Sequence, residues 1–286
     1  MTALFALATT LLWGLADFGG GLLARRTPAL TVIVVSQTIA AVVLGAIVVA
    51  TGAWREAGSG LWFAVAAGLV GPVAMLCFYR ALALGPMGVV SPLGSIGVAV
   101  PVGVGLILGE RPGLLQFAGI AVAVTGIVLA GGPELRGAPV QRQAVLLTLV
   151  AAFGFGAVMA LISEASTTLT GLFLALFVQR VTNVAVGGTA LLASHRRGAP
   201  VLPADGRRVI VATLPALAFV GLADVAANGT YAQAAQLGPV TVAAVLASLY
   251  PVVTALAARF VLGERLRAVQ AAGAGLALVG SVLLAS

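Results

Sequence analysis

The sequence Leu84-Gly85-Pro86 opens an apolar run that ends at Leu108-Gly109-Glu110-Arg111. The same pattern returns between Leu237-Gly238-Pro239 and Leu262-Gly263-Glu264-Arg265. The two Leu-Gly-Pro marks lie 153 residues apart and the two Leu-Gly-Glu-Arg marks 154 residues apart. Each copy encloses an apolar segment long enough to cross a membrane, and another such segment follows it. The pattern therefore indicates two copies of one module.

Composition places almost the whole chain in a lipid environment. Of its 286 residues, 61% are hydrophobic and only 8% are charged, whereas a soluble domain carries about 25% charged residues. A helix crosses the hydrocarbon layer with roughly 20 mostly apolar residues. We therefore expect an all-α integral membrane protein with almost no soluble part. No basic stretch precedes the first apolar run at Met1-Thr2-Ala3-Leu4, so we expect that run to be retained rather than cleaved as a signal peptide.

Several functional classes are excluded by the residues that the chain lacks. All 15 basic residues are arginine, so there is no Walker, kinase or Schiff-base lysine, and no ATP-hydrolysing module is encoded. His195 and Cys77 are the only residues of their types, which excludes an HExxH metal site and an internal disulfide. We expect no cofactor and no metal. The net charge of +7 indicates topology and lipid headgroups rather than nucleic acid.

The apolar runs predict ten transmembrane helices, five in each of two repeats. Because five is odd, the second repeat enters the membrane in the opposite sense, which predicts inverted repeats with a pseudo-two-fold axis in the membrane plane. The first repeat is predicted at 1–133 and the second at 140–286, with a seam between Gly131 and Arg142. The helices are predicted at 2–24, 30–51, 60–84, 87–108, 113–131, 143–163, 168–193, 208–236, 239–261 and 266–285.

The repeated marks predict tight turns between helices. Gly85 and Gly238 are expected in the left-handed conformation that ends a helix. Pro86 and Pro239 are expected in the first turn of the next helix, where the missing amide hydrogen costs no bond. Pro72, Pro92, Pro101, Pro215 and Pro251 lie inside apolar runs and predict kinks. Small residues four apart predict close helix packing at Gly105 and Gly109, Gly119 and Ala123, and Gly273 and Ala277.

Glu110 and Glu264 precede the last helix of each repeat. A carboxylate at that position faces the positive end of the helix dipole, and the arginine beside it reaches lipid phosphate. The pattern favours a structural turn over a catalytic one.

The order and duplication of these motifs resemble the drug/metabolite transporter superfamily, in its ten-helix EamA-type branch. The resemblance lies in Leu12-Trp13-Gly14, in the four repeated turns, and in the glycine-rich final helices Gln116–Gly126 and Gln270–Gly280. Phe153-Gly154 is a weaker counterpart of Trp13-Gly14. The resemblance implies secondary transport of small metabolites, often export, through a central cavity between two five-helix halves.

Membrane orientation stays open at the level of sequence. The resemblance implies that both termini lie in the cytoplasm. That topology would place the loop residues Arg55 and Arg111 inside and ten other loop arginines outside, against the positive-inside rule. The ten are Arg25, Arg26, Arg136, Arg142, Arg196, Arg197, Arg207, Arg208, Arg265 and Arg267. The charge count therefore favours external termini.

Polar residues inside the predicted helices are the candidates for substrate binding, because buried ionisable groups are costly in a membrane. Asp17 lies one turn after Trp13, and Asp224, Asn228 and Tyr231 form one stripe on a helix face. We predict a substrate site among Trp13, Asp17, Tyr79, Arg80, Arg180, Asn183, Asp224, Asn228, Tyr231, Ser248 and Tyr250. We further expect Asp17 to pair with Arg80, and Asp17 and Asp224 to lie about 12 Å apart along the membrane normal.

Together these features predict a secondary transporter of small organic metabolites or drugs in the plasma membrane, in contact with the lipid bilayer. Two carboxylates in the membrane are consistent with proton coupling, while facilitated exchange without protons stays open, as does the oligomeric state. Carriage of sugars or nucleotide sugars is the alternative within transport. An intramembrane enzyme would need catalytic groups that the chain largely lacks, and a scaffold or receptor would need extramembrane surface.

Overall fold

The computed structural model describes residues 1–98, 100, 113–131, 141–165, 168–203, 206–237, 246–247, 249–265 and 268–285. The described α-helices, numbered in chain order, are α1 (Thr2–Ala24), α2 (Ala29–Thr51), α3 (Leu61–Leu84), α4 (Met87–Gly94), α5 (Leu114–Gly131), α6 (Arg142–Ala165), α7 (Leu169–Arg196), α8 (Arg207–Leu237), α9 (Tyr250–Leu262) and α10 (Ala268–Ala285). The described residues contain no β-strand, and the predicted all-α fold is confirmed. Predictions at Pro101, Gly105, Gly109, Glu110, Arg111, Arg136, Gly238, Pro239, Ser248 and Arg267 lie outside the described residues.

The described helices have the length and composition of membrane spans. Six of them are at least 21 residues long and apolar enough to cross a bilayer, namely α1, α2, α3, α6, α7 and α8. Shorter apolar helices occur in α4, α5, α9 and α10. The chain is therefore a multi-pass membrane protein.

Prolines shape several of these helices. Pro72 and Pro215 lie inside α3 and α8, as predicted. Pro92 lies inside α4, and the chain tightens into a 3₁₀ turn over Ser95–Val98 directly after that helix. Pro251 instead occupies the first turn of the described α9, where a missing amide hydrogen costs no bond. Leu246 and Ala247 before this helix are also helical and Leu249 lies in a turn, and the kink predicted at Pro251 stays a prediction.

The turn from α3 into α4 differs from the prediction. Gly85 has φ −121° and ψ 171°, which is extended backbone and not the left-handed conformation. The reason is its neighbour: the residue before a proline is restricted to extended conformations, and Pro86 is the N-cap of α4. Left-handed glycines end two other helices, at Gly52 after α2 and at Gly263 after α9.

Eight helices form a closed ring in which the two repeats alternate. Each helix packs on the next in the order α1, α8, α2, α7, α3, α6, α4, α9 and back to α1. The order is unchanged when each helix is exchanged for its counterpart five places along the chain, as expected for two copies of one module. The centre of this ring is therefore lined by both repeats.

The last helices of the two repeats, α5 and α10, pack chiefly on each other, beside the ring at α4. A Cβ atom on Gly126 of α5 would lie 2.4 Å from the backbone nitrogen of Ala277 and 2.8 Å from the carbonyl oxygen of Gly273. The small residues predicted at Gly273 and Ala277 thus permit direct backbone contact, as in other membrane helix pairs.

Candidate functional site

A buried ion pair joins α7 to α8. Arg180, which is only 6% exposed, donates from Nη2 to Oδ2 of Asp224 at 2.5 Å and from Nη1 to Oε1 of Gln37 on α2 at 2.8 Å. Asn228 donates to the backbone oxygen of Asp224 at 2.7 Å. Because α7 and α8 flank α2 in the ring, this cluster ties three neighbouring helices together, and the carboxylate compensates the buried guanidinium.

Gln37 belongs to this cluster but was not predicted from the sequence. It is 1% exposed and accepts a bond from Arg180. The only signal available was a long amide side chain in the otherwise apolar α2, between Ser36 and Thr38. A buried amide needs a partner, so this signal deserved the same weight as the charged residues.

Near the ion pair, several buried polar atoms have no hydrogen-bond partner in the part of the chain that the structure describes. Asn183 is 1% exposed, and Gln179 is 4% exposed. Both amide atoms of Asn183, Oε1 of Gln179 and Nε of Arg180 have no hydrogen-bond partner among the described residues. A Cβ atom on Gly71 of α3 would lie 2.5 Å from Oδ1 of Asn183, so the glycine makes room for the amide.

Three aromatic rings from α1, α8 and α9 meet beside this cluster. The ring centroid of Trp13 is 5.9 Å from that of Tyr231 and 6.1 Å from that of Tyr250. All three side chains are partly exposed. Tilted at 34° and 73° to the Trp13 ring, the two tyrosine rings form an aromatic wall together with it. The structure thus brings together three of the four aromatic residues predicted for the site.

Asp17 lies closer to Asp224 than predicted. The hydroxyl of Thr9 on α1 is 2.9 Å from that of Thr230 on α8, which fixes the antiparallel register of the two helices. In that register Asp17 is level with Leu222, about 3 Å along the axis from Asp224. The predicted separation of 12 Å is wrong because it assumed that both helices are centred on the same plane.

Tyr79 closes one end of the ring. A Cβ atom on Gly20 would lie 2.4 Å from Cζ of Tyr79, and one on Gly21 would lie 2.8 Å from Leu82 and 3.0 Å from Met87. The contacts with Tyr79 and Leu82 join α1 to α3, which stand opposite each other in the ring, and the contact with Met87 joins α1 to α4. Their counterparts α6 and α8 make no comparable contact through the described residues. The ring is therefore closed more tightly at the end where α1 finishes than at the end where α8 finishes.

An ion pair reinforces the closed end. Arg25 donates to Oε1 of Glu264 at 2.9 Å, and the amide of Gly88 donates to Oε2 of the same carboxylate at 3.4 Å. Glu264 thus faces the positive end of the α4 dipole, whereas the prediction placed it on α10. The left-handed Gly263 turns the chain after α9, and the last helix begins only at Ala268, so the carboxylate reaches the other repeat.

A second carboxylate binds a helix start at the opposite end. Glu56 accepts hydrogen bonds from the hydroxyls of Thr168 and Thr170 at the beginning of α7. Thr168 in turn caps that helix by accepting from the amide of Gly171 at 3.0 Å. The hydroxyl donors lower the pKa of Glu56, because they stabilise its charged form.

Arg80 lies apart from these groups, and the predicted Asp17–Arg80 ion pair is wrong. Arg80 is exposed on the same face of α3 as the exposed residues Leu69, Val73 and Leu84, which is a lipid-facing stripe at helical spacing. Among the described residues, the ion pairs are Arg25–Glu264 and Arg180–Asp224. A side chain of this length can reach the membrane interface from a lipid-facing position close to the end of a helix.

A groove of about 280 Å³ opens on the outer face between α2 and α7, next to Thr38, Gly45, Phe177 and Val181. Thr38 and Val181 each follow a member of the polar cluster by one residue, so they point to another side of their helices. The lining is almost entirely apolar, which suits lipid contact better than recognition of a polar solute.

Comparisons with known proteins agree with the fold. The model of the EamA-like transporter family matches residues 1–132 and 142–286. A solved structure titled only "Crystal structure of protein" covers 99% of this chain and 96% of its own, with 18% sequence identity and a TM-score of 0.58, and at that identity the likeness concerns the fold alone. A search of curated proteins found no match. On the family match, which spans nearly the whole sequence in two parts, the chain belongs to the EamA-like transporter family.

Proposed function

We propose that this protein is a secondary transporter that moves small organic solutes through the centre of the helix ring by alternating access. Membership of a family of small-molecule membrane transporters supports the general activity. The observation that carries the proposal is the Arg180–Asp224 pair, because an ion pair within membrane-spanning helices is costly and marks a solute or ion path. Asp224 keeps partial exposure, beside the aromatic wall of Trp13, Tyr231 and Tyr250.

The ring order suggests how access alternates. Neighbours in the ring come from different repeats. If one repeat rocked against the other as a rigid body, most of the contacts between neighbouring helices would be broken. The contact between α1 and α3 at Tyr79 closes one end, and the equivalent contact between α6 and α8 would close the other. We therefore propose inverted repeats in which these two contacts form in turn around a fixed site.

The charges at the two ends of the ring support a proposal for the direction and location of transport. Arg25, Arg26, Arg142, Arg196, Arg197, Arg208 and Arg265 lie at the closed end and are exposed or part of the Glu264 contact. The positive-inside rule places that end in the cytoplasm. We propose a plasma-membrane exporter whose present shape opens outward, the form from which an exported solute is released. Protons are the proposed coupling ion, since Asp17 and Asp224 are both carboxylates in the membrane.

The geometry does not support the alternative of an intramembrane enzyme with an aspartyl pair. An aspartyl pair must share a proton, whereas Asp224 is engaged by Arg180 at 2.5 Å.

Reconstituted vesicles test the proposal directly. Purified protein in liposomes is supplied with labelled amino acids, nucleosides, sugars and cationic drugs, with and without an imposed pH gradient. We expect saturable movement of at least one solute, lost in Asp224→Asn and retained in Glu164→Gln, an exposed acid away from the ring centre. Equal movement in vesicles without protein, or unchanged transport by Asp224→Asn, would exclude this site.

A further inference from the structure

We propose that the outer groove between α2 and α7 binds one anionic phospholipid, whose acyl chain lies in the groove and whose phosphate is held by basic residues at the end of α7. Such a site does not depend on the proposed transport function. The groove accommodates the chain, one face of α7 connects the groove to the membrane surface, and the charges at that surface select the headgroup.

The groove is a depression in the lipid-facing surface of the ring. Its volume is about 280 Å³, and its lining is almost entirely apolar. Val42 on one wall is 68% exposed and Val181 on the other is 46% exposed, so both face outward. At the bottom a glycine brings the helices together, since a Cβ atom on Gly45 would lie 3.0 Å from the ring of Phe177. In a membrane an acyl chain fills such a depression, because an empty void forfeits dispersion contacts.

The groove continues along α7 toward the arginine-rich end. Val181, Val184 and Gly188 follow one another at spacings of three and four residues, so they share one face of the helix. A Cβ atom on Gly188 would have no neighbour within 4 Å, which leaves space for a chain along this face. His195 lies 18 residues after Phe177, which is about five helical turns, and it therefore ends the same face.

The distance from the basic end to the groove matches the length of a phospholipid. Val181 lies 14 residues before His195, which is about 21 Å along the helix axis. A phospholipid spans half of a bilayer that is about 40–45 Å thick with its headgroups. A phosphate beside His195 therefore places the end of its acyl chain near Val181, inside the groove.

The charges beside His195 favour an anionic headgroup. The segment 194–208 contains four arginines and one acid, Asp205. Arg196 and Arg197 are exposed, and neither forms an ion pair among the described residues. A guanidinium group donates two parallel hydrogen bonds to a phosphate, and each arginine near the membrane surface adds attraction to anionic lipid.

The start of α2 adds to this basic end. The hydroxyl of Thr31 donates to the carbonyl oxygen of Val201 at 2.5 Å, so the segment after α7 is held against the start of α2. Arg26 lies three residues before α2 and is exposed. Each of the two helices that line the groove therefore has an exposed arginine at this end.

Photoreactive lipids test the site directly. The full-length protein is reconstituted in phosphatidylcholine vesicles with a small fraction of a probe lipid that carries a diazirine at the chain end. The probe is either phosphatidylglycerol or phosphatidylcholine, and labelled peptides are identified by mass spectrometry. We expect the phosphatidylglycerol probe to label Val42 and Val181 about fivefold more than the phosphatidylcholine probe or better, since one arginine near the surface contributes about that factor.

Paired arginine variants test the headgroup contacts. Arg196→Gln with Arg197→Gln should bring groove labelling by phosphatidylglycerol to within about twofold of the phosphatidylcholine value. Arg142→Gln with Arg259→Gln removes the same charge from α6 and α9, elsewhere in the ring, and should leave the labelling unchanged. Both pairs replace exposed side chains.

Paired glycine variants test the position of the chain. Gly188→Leu fills the space beside α7 and should lower groove labelling by phosphatidylglycerol about fivefold or more. Gly275→Leu on α10 is the control, since a Cβ atom there also has no neighbour within 4 Å, and it should change nothing.

Three outcomes would overturn the proposal. Equal groove labelling by the two probes would mean contact with bulk lipid only. Unchanged labelling after loss of Arg196 and Arg197 would mean that these arginines do not hold the headgroup. Complete competition by inorganic phosphate in the buffer would mean that the basic end binds a soluble anion and not a lipid. Because the probe is present in both leaflets, none of these results depends on the orientation of the protein.

Discussion

At the scale of single residues, Arg180 controls the electrostatics inside the ring. Its guanidinium is bound on two sides, by Asp224 on α8 and by Gln37 on α2. Removal of one partner from a buried ion pair leaves an uncompensated charge, which costs more than removal of the whole pair. The intact pair therefore favours the packing in which α7 and α8 lie on either side of α2.

The first prediction concerns this pair. We expect Asp224→Asn to lower the free energy of unfolding by about 3–5 kcal/mol, because Arg180 keeps its charge without a counter-ion. The double variant Arg180→Gln with Asp224→Asn should be more stable than Asp224→Asn alone. Thermal unfolding in detergent, monitored by tryptophan fluorescence, measures both. A double variant that loses the sum of the two single effects would mean that the residues do not interact.

The second prediction concerns the contact between α1 and α3. Gly20→Ala places a methyl group where Tyr79 now lies, so it should destabilise the closed end by about 1–3 kcal/mol. We expect a cysteine placed inside the ring next to this contact, in a background with Cys77→Ser, to react faster with a soluble thiol reagent when Gly20→Ala is present than when it is absent. Gly188→Ala is the control, since its Cβ atom would have no neighbour within 4 Å. Equal reaction rates in the two variants would contradict the closure at Tyr79.

The sequence identified the candidate residues inside the membrane but did not show which of them contact each other. Asp17, Arg180, Asp224 and the aromatic residues stand out because polar groups in a membrane are costly. Partners depend on which helices are neighbours, and that is a property of the whole ring. Arg80 was misplaced for the same reason: its face of α3 is identified as lipid-facing only when the packing of the other faces is known.

At the scale of helices, two carboxylates bind helix starts that belong to the other repeat. Glu264 of the second repeat meets the start of α4 in the first, and Glu56 of the first repeat meets the start of α7 in the second. The positive end of each helix dipole favours such a charge. The two contacts lie at opposite ends of the ring and hold the repeats together at both.

The third prediction concerns the closed end. Arg25 and Glu264 are partly exposed, so a double-mutant cycle with Arg25→Gln and Glu264→Gln should give a coupling energy of about 0.5–1 kcal/mol. The measured quantity is unfolding free energy, at low and at high salt. Since partly exposed pairs are screened, we expect the coupling to shrink at high salt. A coupling of zero at low salt would show that the contact adds no stability.

The fourth prediction concerns pH. The pKa of Glu56 is lower in the folded protein than in the unfolded chain, so its stabilising effect is fully present above the unfolded pKa, near 4.3. The effect is lost as pH falls through the lower folded pKa. Between about pH 5 and pH 3, the melting temperature of the wild type should fall more steeply than that of Glu56→Gln.

At the scale of the whole molecule, helix number and class were predictable, and helix order was not. Apolar length fixes how many spans exist, and the repeated turns at Leu84-Gly85-Pro86 and Leu237-Gly238-Pro239 indicate duplication. Nothing local in the sequence shows that α8 stands between α1 and α2, because that order is set by packing between distant segments. Glu264 illustrates the same limit, since its contact with α4 spans 176 residues of sequence.

The fifth prediction concerns orientation. Ten spans place both termini on one side of the membrane, opposite the arginine-rich end. By the positive-inside rule a C-terminal alkaline phosphatase fusion should be active, since that enzyme works only outside the cytoplasm. The same reporter inserted between α7 and α8 should be inactive. The reverse pattern would place the closed end outside, and the proposed direction of transport would have to be reversed with it.

Alternation of the repeats around the ring also bears on how the protein is made. When translation has finished the first repeat, the ring helices α1 to α4 have none of their final ring neighbours, since every one of those neighbours is encoded later. Until the second repeat has been synthesised, these helices remain in the bilayer without their final neighbours, exposed to lipid and to proteolysis. A chain that stops directly after the first repeat therefore lacks every ring neighbour of α1 to α4, and we expect quality control to remove it.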